Sequence, residues 1–176
     1  PHVNMAARME AASRQFGVSI LMTERFVELM SIEAQQHCRK LDVVTVKGST
    51  TPMPIYTYDT FQNQHFPLLQ APKFSSLSLG HILNAQAKEY DVELWLQDKD
   101  LIQLRRFATP AFREVYGKGL DAYITGNWDE ARTLLKNADR IMTENNLGGD
   151  VPSQTLLAFM ENRQWTCPLD WKGYRP

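Results

Sequence analysis

The sequence predicts an α+β protein in which residues 1–59 mix helices with strands and the later part is mostly helical. Two observations support a sheet-containing first part. Small and apolar residues recur at helical spacing from Val3 to Gln15, and β-branched residues cluster between Cys38 and Lys47. A third observation marks the change after Asp59, where apolar stripes of helical period take over.

Residues 1–59 are predicted to begin with a helix, a strand and a second helix. The first helix, Val3–Gln15, is expected to stop at Gly17, because glycine adopts the left-handed conformation that ends many helices. A short β-rich run, Val18–Leu21, is predicted to be a strand. Thr23 is then the expected N-cap of a helix that continues to Met30.

A β-hairpin is predicted to complete this region. Its strands are Cys38–Lys47 and Ile55–Tyr58, and the turn-rich segment Gly48–Pro54 joins them. Prolines and a serine-rich run then break the periodicity, which predicts a linker over residues 60–78.

Residues 79–176 are predicted to form a helical extension. Four apolar stripes of helical period lie in Ile82–Tyr90, Leu94–Phe107, Phe112–Ile124 and Trp128–Met142. Pro152 is expected near the start of a short final helix that includes Leu156–Met160.

Two of these helices, separated by Gly126-Asn127, resemble one tetratricopeptide-type helical hairpin. A single hairpin cannot bury its apolar face alone, so it is expected to pack on neighbouring helices or on another chain. A docking role for a protein partner and a plain packed subdomain both stay open. The aromatic residues of the tail, Trp165, Trp171 and Tyr174, are expected to fold back on the helices.

Composition restricts the classes of function. The chain has 43% hydrophobic residues and nearly balanced charge, 19 basic against 20 acidic residues, as soluble globular proteins do. This balance gives no general attraction to nucleic acid or to anionic lipid. We expect no membrane-spanning segment and no signal peptide, and the first residues are typical of the interior of a longer chain. Cys38 and Cys167 lie far apart and lack CxxC or His/Cys spacing, which favours neither a disulfide framework nor a zinc site. A reducing, cytosolic setting is the simpler interpretation.

Three residues are candidates for a phosphate site. Asn4 and Arg8 lie one turn apart on the first helix, so both can face one ligand. A guanidinium offers paired donors to phosphoryl oxygens, and Lys47 adds a charge at a strand end before Gly48. Taken singly, Asn4 is more typical of a helix cap and Arg8 of a surface charge.

A second pair on the same helix, Glu10 and Arg14, has the same spacing. Nothing in its surroundings indicates a ligand, so a surface ion pair is predicted there and no chemistry is assigned to it.

The ordered set of motifs resembles the second half of the class III adenylyl and guanylyl cyclase domain. That family carries an N-x-x-x-R helix followed by a strand that ends in V-K-G, and both features occur here at Asn4–Arg8 and Val46–Gly48. The intervening Val18–Leu21 and Arg39–Asp42 and the following Pro54–Tyr56 also fit the pattern. The resemblance covers about residues 1–58.

The resemblance implies the C-terminal portion of a cyclase domain with a ferredoxin-like core, which works as a dimer with its active sites at the subunit interface. Asn4 would then orient the ribose of ATP or GTP, Arg8 would stabilise the charged phosphoryl transition state, and Lys47 would contact the triphosphate. The product would be the 3′,5′-cyclic nucleotide, with Mg²⁺ or Mn²⁺ as cofactor.

The resemblance also implies what must come from elsewhere. The family's two metal-binding aspartates precede this helix, so the metal ligands are expected upstream or in a partner domain, and Asp42 and Asp59 are interpreted as structural. The parent would be cytosolic, or the cytoplasmic portion of a membrane-bound or large multidomain protein. The alternative is a catalytically inactive cyclase-like domain that serves as an assembly module.

Overall fold

The structure is a computed structural model that describes residues 2–45, 51–60, 93–145 and 148–175, with the backbone alone for residues 2–6 and 8. Across these ranges the fold is mixed α+β, with a small three-stranded antiparallel sheet and many helices. This confirms the predicted α+β class at the level of secondary structure.

The first helix, α1, spans His2–Phe16 and ends where the sequence predicts. Gly17 follows it in the left-handed conformation, with φ of +61°. The Val18 N–H donates to the Ser13 carbonyl at 3.0 Å, which satisfies one of the carbonyl groups left open at the helix end.

The predicted strand at Val18–Leu21 is wrong, because the first strand, β1, is Met22–Thr23. This short strand pairs with strand β3, Met53–Tyr58, in an antiparallel register that aligns Met22 with Tyr56. Local β-propensity was misleading here, because the residues that pair with β3 are Met22 and Thr23, which directly follow the predicted strand.

The second predicted helix is shorter than expected. Thr23 does cap it, since its Oγ1 accepts a hydrogen bond from the Phe26 N–H at 3.3 Å, but the helix α2 covers only Glu24–Val27. A separate helix, α3, covers Ile32–Gln36 and has its own cap at Ser31. The Ser31 Oγ accepts a hydrogen bond from the Ala34 N–H at 3.3 Å, which favours the start of a new helix at Ile32.

The predicted hairpin is confirmed. Strand β2, Cys38–Val44, pairs with β3 in an antiparallel register that runs from Cys38 opposite Tyr58 to Val44 opposite Met53. The strand order is β1-β3-β2, and a bulge interrupts the register between Lys40 and Asp42.

Helices predominate in the described part of the second half, and the predicted helix over Leu94–Phe107 is divided in two. The Asp98 side chain accepts a hydrogen bond from the Leu101 N–H at 2.8 Å and so caps a new helix inside that stretch. The predicted helix Ile82–Tyr90 and residues 61–78 of the predicted linker lie outside the described residues. The helices are α4 Leu94–Gln97, α5 Lys99–Arg105, α6 Pro110–Thr125, α7 Trp128–Glu144 and α8 Val151–Glu161.

Helices α6 and α7 form the predicted hairpin, and they bury their apolar faces within this chain. Gly126 reverses the chain with φ of +86°, and Asn127 caps α7. The pair packs on α8, and the Tyr116 hydroxyl of α6 donates to the Leu41 carbonyl of β2 at 2.9 Å. The large buried side chains of this core are Phe112, Tyr116, Leu120, Tyr123, Trp128, Leu135, Met142, Leu156 and Met160.

The aromatic tail folds back, as expected. The Trp171 indole N–H donates to the carbonyls of Tyr123 and Ile124 at 3.2 and 3.0 Å, and the Trp165 ring lies under the Arg132 guanidinium. Beyond them, the Arg175 N–H donates to the Val43 carbonyl at 3.0 Å, so the chain end lies beside β2.

Within the described ranges, none of the helices combines the length and the apolar character that crossing a membrane requires.

Candidate functional site

The N-x-x-x-R motif lies on α1, where the backbone is helical at both Asn4 and Arg8. Their side chains lie outside the described part of the structure. The next residue, Met9, is described and is half-buried against a small core formed by Phe16, Leu41 and Ile55. The motif therefore belongs to a helix that is anchored on the sheet.

Lys47 lies outside the described residues, in the connection between β2 and β3. The described residues at the two ends of this connection, Val44 and Met53, face each other across the hairpin. Both pack on the same core of Phe16, Leu41 and Ile55 that holds Met9. The helix that carries Arg8 and the hairpin end that leads to Lys47 thus share one core.

The second pair on α1 forms the predicted surface contact. The Arg14 Nε donates to the Glu10 carboxylate at 2.9 Å, and both side chains are largely exposed. This confirms the predicted surface ion pair, in which Glu10 is the partner of Arg14.

Asp42, at the bulge of β2, is fully buried and is paired with the Arg175 guanidinium. Its other oxygen accepts a hydrogen bond from the Val43 N–H at 2.7 Å. Burial raises the pKa of the Asp42 carboxyl to about 6, against the opposing effects of Arg175 and of the Val43 hydrogen bond. Asp42 therefore joins the chain end to the sheet.

Asp59 is paired in the same way, with Arg39. The Arg39 Nε and Nη2 donate to the two Asp59 oxygens at 2.9 and 2.6 Å, which is the bidentate arrangement typical of strong arginine pairs. Both side chains are buried.

Arg39 also reaches the helical part of the chain. Its Nη1 and Nη2 donate to Asp150 at 3.2 and 3.1 Å, and its guanidinium lies over the rings of Phe112 and Tyr116. Burial disfavours the charge, yet Asp150 and Asp59 together raise the pKa of Arg39 above its ordinary value.

Asp150 has a second role as the N-cap of α8, since it accepts hydrogen bonds from the Ser153 N–H and hydroxyl at 2.9 and 2.7 Å. One carboxylate therefore fixes the start of α8 and neutralises a charge on the sheet. The sequence offered no signal for this network beyond the acidic residue before a proline-containing helix start.

The described residues do not fit a divalent cation. No group of three or more His, Cys, Asp or Glu side chains converges among them, and the buried carboxylates of Asp42 and Asp59 are already engaged by arginines.

Against known proteins, the chain matches no family model, no curated protein and no solved structure.

Proposed function

We propose that this chain is the C-terminal part of a class III nucleotide cyclase domain, acting in intracellular signalling. One observation carries the proposal. The helix bearing the N-x-x-x-R motif and the hairpin leading to V-K-G pack on one core, through Met9 of α1 and Val44 and Met53 of the strands. Along the chain, the described elements of this part are a helix, a short strand, two short helices and the hairpin.

The proposed chemistry is intramolecular phosphoryl transfer in ATP or GTP. The ribose 3′-oxygen bonds to the α-phosphorus, the bond from that phosphorus to the bridging oxygen breaks, and pyrophosphate leaves as the 3′-hydroxyl proton is released. Catalysis of such a step depends on positioning and on stabilisation of charge.

Each candidate residue has one role in this step. Asn4 orients the ribose, and Arg8 donates to the phosphoryl oxygens as negative charge builds in the transition state. Lys47 holds the triphosphate as a mobile point charge. Mg²⁺ or Mn²⁺, bound by ligands outside this chain's described residues, would supply neutralisation of phosphate charge.

The site needs a partner, which we propose to be a second cyclase domain, in a homodimer or a heterodimer. Asn4, Arg8 and Lys47 supply hydrogen-bond donors and two positive charges but no carboxylate for a metal ion, so they form one side of a shared site. We propose that the parent works in the cytosol, or as the cytoplasmic part of a membrane-bound or large multidomain protein.

The experiment is turnover by the parent protein together with its paired domain. Arg8→Ala is expected to lower kcat by about 10²- to 10³-fold, as loss of one transition-state donor does elsewhere. Arg14→Ala is the matched control. It removes a guanidinium from the same helix, and this guanidinium is engaged in an exposed ion pair with Glu10. Equal turnover of Arg8→Ala and Arg14→Ala would refute the role of Arg8.

A second candidate function is an inactive cyclase-like module used for assembly, and one surface favours it. Three large apolar side chains around α2 and α3 are strongly exposed: Phe26 at 55%, Leu29 at 82% and Ile32 at 69%. Apolar side chains exposed together commonly mark a protein interface.

This candidate predicts association without turnover. Leu29→Ser should weaken binding of the paired domain, measured by sedimentation velocity, while Leu169→Ser, at a fully exposed leucine of the tail, should not. Cyclic nucleotide formation by the same parent would exclude the inactive alternative.

A further inference from the structure

A cavity of about 450 Å³ lies where the end of α3, the end of α5 and the start of α6 meet. Its wall contains three arginines and one histidine, and it contains no acidic residue among its described lining residues. The basic members are His37, Arg105, Arg106 and Arg113. This concentration of positive charge contrasts with the near neutrality of the whole chain.

Arg113 is fixed in the cavity by neutral acceptors. Its Nη1 and Nη2 donate to the carbonyls of Gln36, His37 and Cys38 at 2.8 to 3.1 Å. Desolvation by burial lowers the pKa of Arg113, and the nearby Asp59 opposes that effect. Asp59 is itself held by Arg39, so it does not neutralise Arg113 directly.

Arg105 is oriented in the same manner, since it donates to the Trp95 carbonyl and to the Tyr58 hydroxyl. Arg106, the next residue, is exposed, and its guanidinium lies 4.4 Å from the centre of the Phe107 ring. None of the ion pairs formed within the described ranges involves Arg105, Arg106 or Arg113.

His37 lies close to two of these arginines, and its pKa reflects their charge. The imidazole of His37 stacks on the Trp95 ring with 6.0 Å between centroids. Desolvation lowers its pKa, and the charges of Arg105 and Arg113 lower it further. The positive charges of Arg105 and Arg113 therefore both reach the part of the cavity that His37 lines.

We propose that this cavity binds a small phosphorylated molecule. Guanidinium groups attract phosphate and donate hydrogen bonds to its oxygens, and Arg105 and Arg113 are held in place before a ligand arrives. Arg113 already gives three of its five N–H groups to carbonyls, so its main contribution is positive charge. The volume lies within the range of small-molecule sites, and the side chains of Ile102, Ala108 and Pro110 give part of the wall an apolar surface for the rest of such a ligand. The inference is independent of the proposed cyclase chemistry, which uses Asn4, Arg8 and Lys47.

Inorganic pyrophosphate is a suitable probe, and its binding to the 176-residue chain can be measured by isothermal titration calorimetry. Arg106→Glu should weaken saturable binding about tenfold or more, because it removes one charge-assisted contact and adds a repulsive charge. Arg106 is the informative position because, unlike Arg105 and Arg113, it makes no described backbone contact. The proton resonances of the His37 ring should shift on saturation.

The matched control is Arg163→Glu. Arg163 is also exposed, and its guanidinium also lies over a phenylalanine ring, that of Phe159 at 3.8 Å, but it does not line this cavity. Unlike Arg106, it donates a long hydrogen bond to a backbone carbonyl, that of Phe159 at 3.4 Å. Pyrophosphate binding that this variant retains and Arg106→Glu loses supports the proposal. Equal weakening by both variants would indicate diffuse electrostatic attraction and would overturn it.

Three further outcomes would also overturn the proposal. If Arg8→Ala abolishes pyrophosphate binding and Arg106→Glu does not, the probe binds the candidate cyclase site instead. If vesicles containing phosphatidic acid bind the chain while free pyrophosphate does not, the cavity recognises a membrane headgroup and not a small molecule. Absence of saturable binding at about millimolar pyrophosphate, the weak end of specific affinity, would be equally decisive against it.

Discussion

Arg39 on the sheet and Asp150 at the start of α8 form a buried ion pair with 3.1 Å between Nη2 and Oδ1, although they lie 111 residues apart in the chain. Asp59 completes the group. Buried charges therefore join the sheet to the helices that follow it.

The first prediction concerns this ion pair. Arg39→Met should lower the free energy of unfolding by about 3–5 kcal/mol, because it leaves Asp59 and Asp150 buried without their cation. Urea denaturation of this chain measures the change. Arg14→Met, which breaks an exposed pair, should change stability by less than about 1 kcal/mol. A loss no larger for Arg39→Met than for Arg14→Met would contradict the account.

The second prediction is a pH dependence at Asp42. Its pKa in the folded chain is raised to about 6, so the folded state binds the proton more tightly than the unfolded state does. The stability that this provides is present below the unfolded pKa, near 4, and is lost as the pH rises through 6.

We therefore expect the wild-type chain to lose about 2 kcal/mol relative to Asp42→Asn between pH 4.5 and pH 7.5. Paired urea titrations of the two proteins at both pH values isolate this group from the other titrating residues. A difference in stability that does not change with pH would mean that Asp42 keeps an ordinary pKa.

The third prediction compares two buried tyrosines on α6. The Tyr123 hydroxyl is buried and has no hydrogen-bond partner among the described residues, whereas the Tyr116 hydroxyl donates to the Leu41 carbonyl. Tyr123→Phe should therefore be neutral or stabilising by up to about 1 kcal/mol, and Tyr116→Phe should cost about 1 kcal/mol.

Thermal denaturation of the two phenylalanine variants, followed by circular dichroism, gives the comparison under identical conditions. The two substitutions remove the same atom from the same helix, so differences in helix propensity cancel. An equal loss of stability in both variants would show that the Tyr123 hydroxyl has a partner.

Local signals in the sequence were enough to predict several features of the fold. Gly17 ends α1, and Thr23 caps α2, because both effects depend on residues within one helical turn. The β2-β3 hairpin followed from β-branched residues on both sides of a turn-rich segment. The predicted helix over Leu94–Phe107 failed because Asp98 caps a new helix inside it. The helix predicted to reach Met30 ends at Val27, and a new helix begins after Ser31.

The long-range contacts could not be predicted, because no local pattern pairs residues so far apart in sequence. No pattern in the sequence indicates that Arg39 pairs with Asp150. Likewise, no pattern brings together the ends of the two helices that contribute the cavity arginines. The candidate cyclase residues were chosen from motif order, and that choice stays a prediction.

The fourth prediction is kinetic and concerns Lys47. Because a lysine that holds the triphosphate contacts the substrate already in the ground state, Lys47→Ala should raise KM more than it lowers kcat. Steady-state kinetics of the parent with its paired domain separate the two parameters. An unchanged KM would remove Lys47 from the proposed site.

The most direct test of the central claim is product formation by the parent and its paired domain, supplied with ATP or GTP labelled in the α-phosphate and with Mn²⁺. The account predicts that label appears in the 3′,5′-cyclic nucleotide with one of the two substrates and that Arg8→Ala reduces this appearance by about 10²-fold or more. If neither triphosphate yields a cyclic product, or if Arg8→Ala forms it as fast as the wild type, the assignment of this chain to a working cyclase is contradicted.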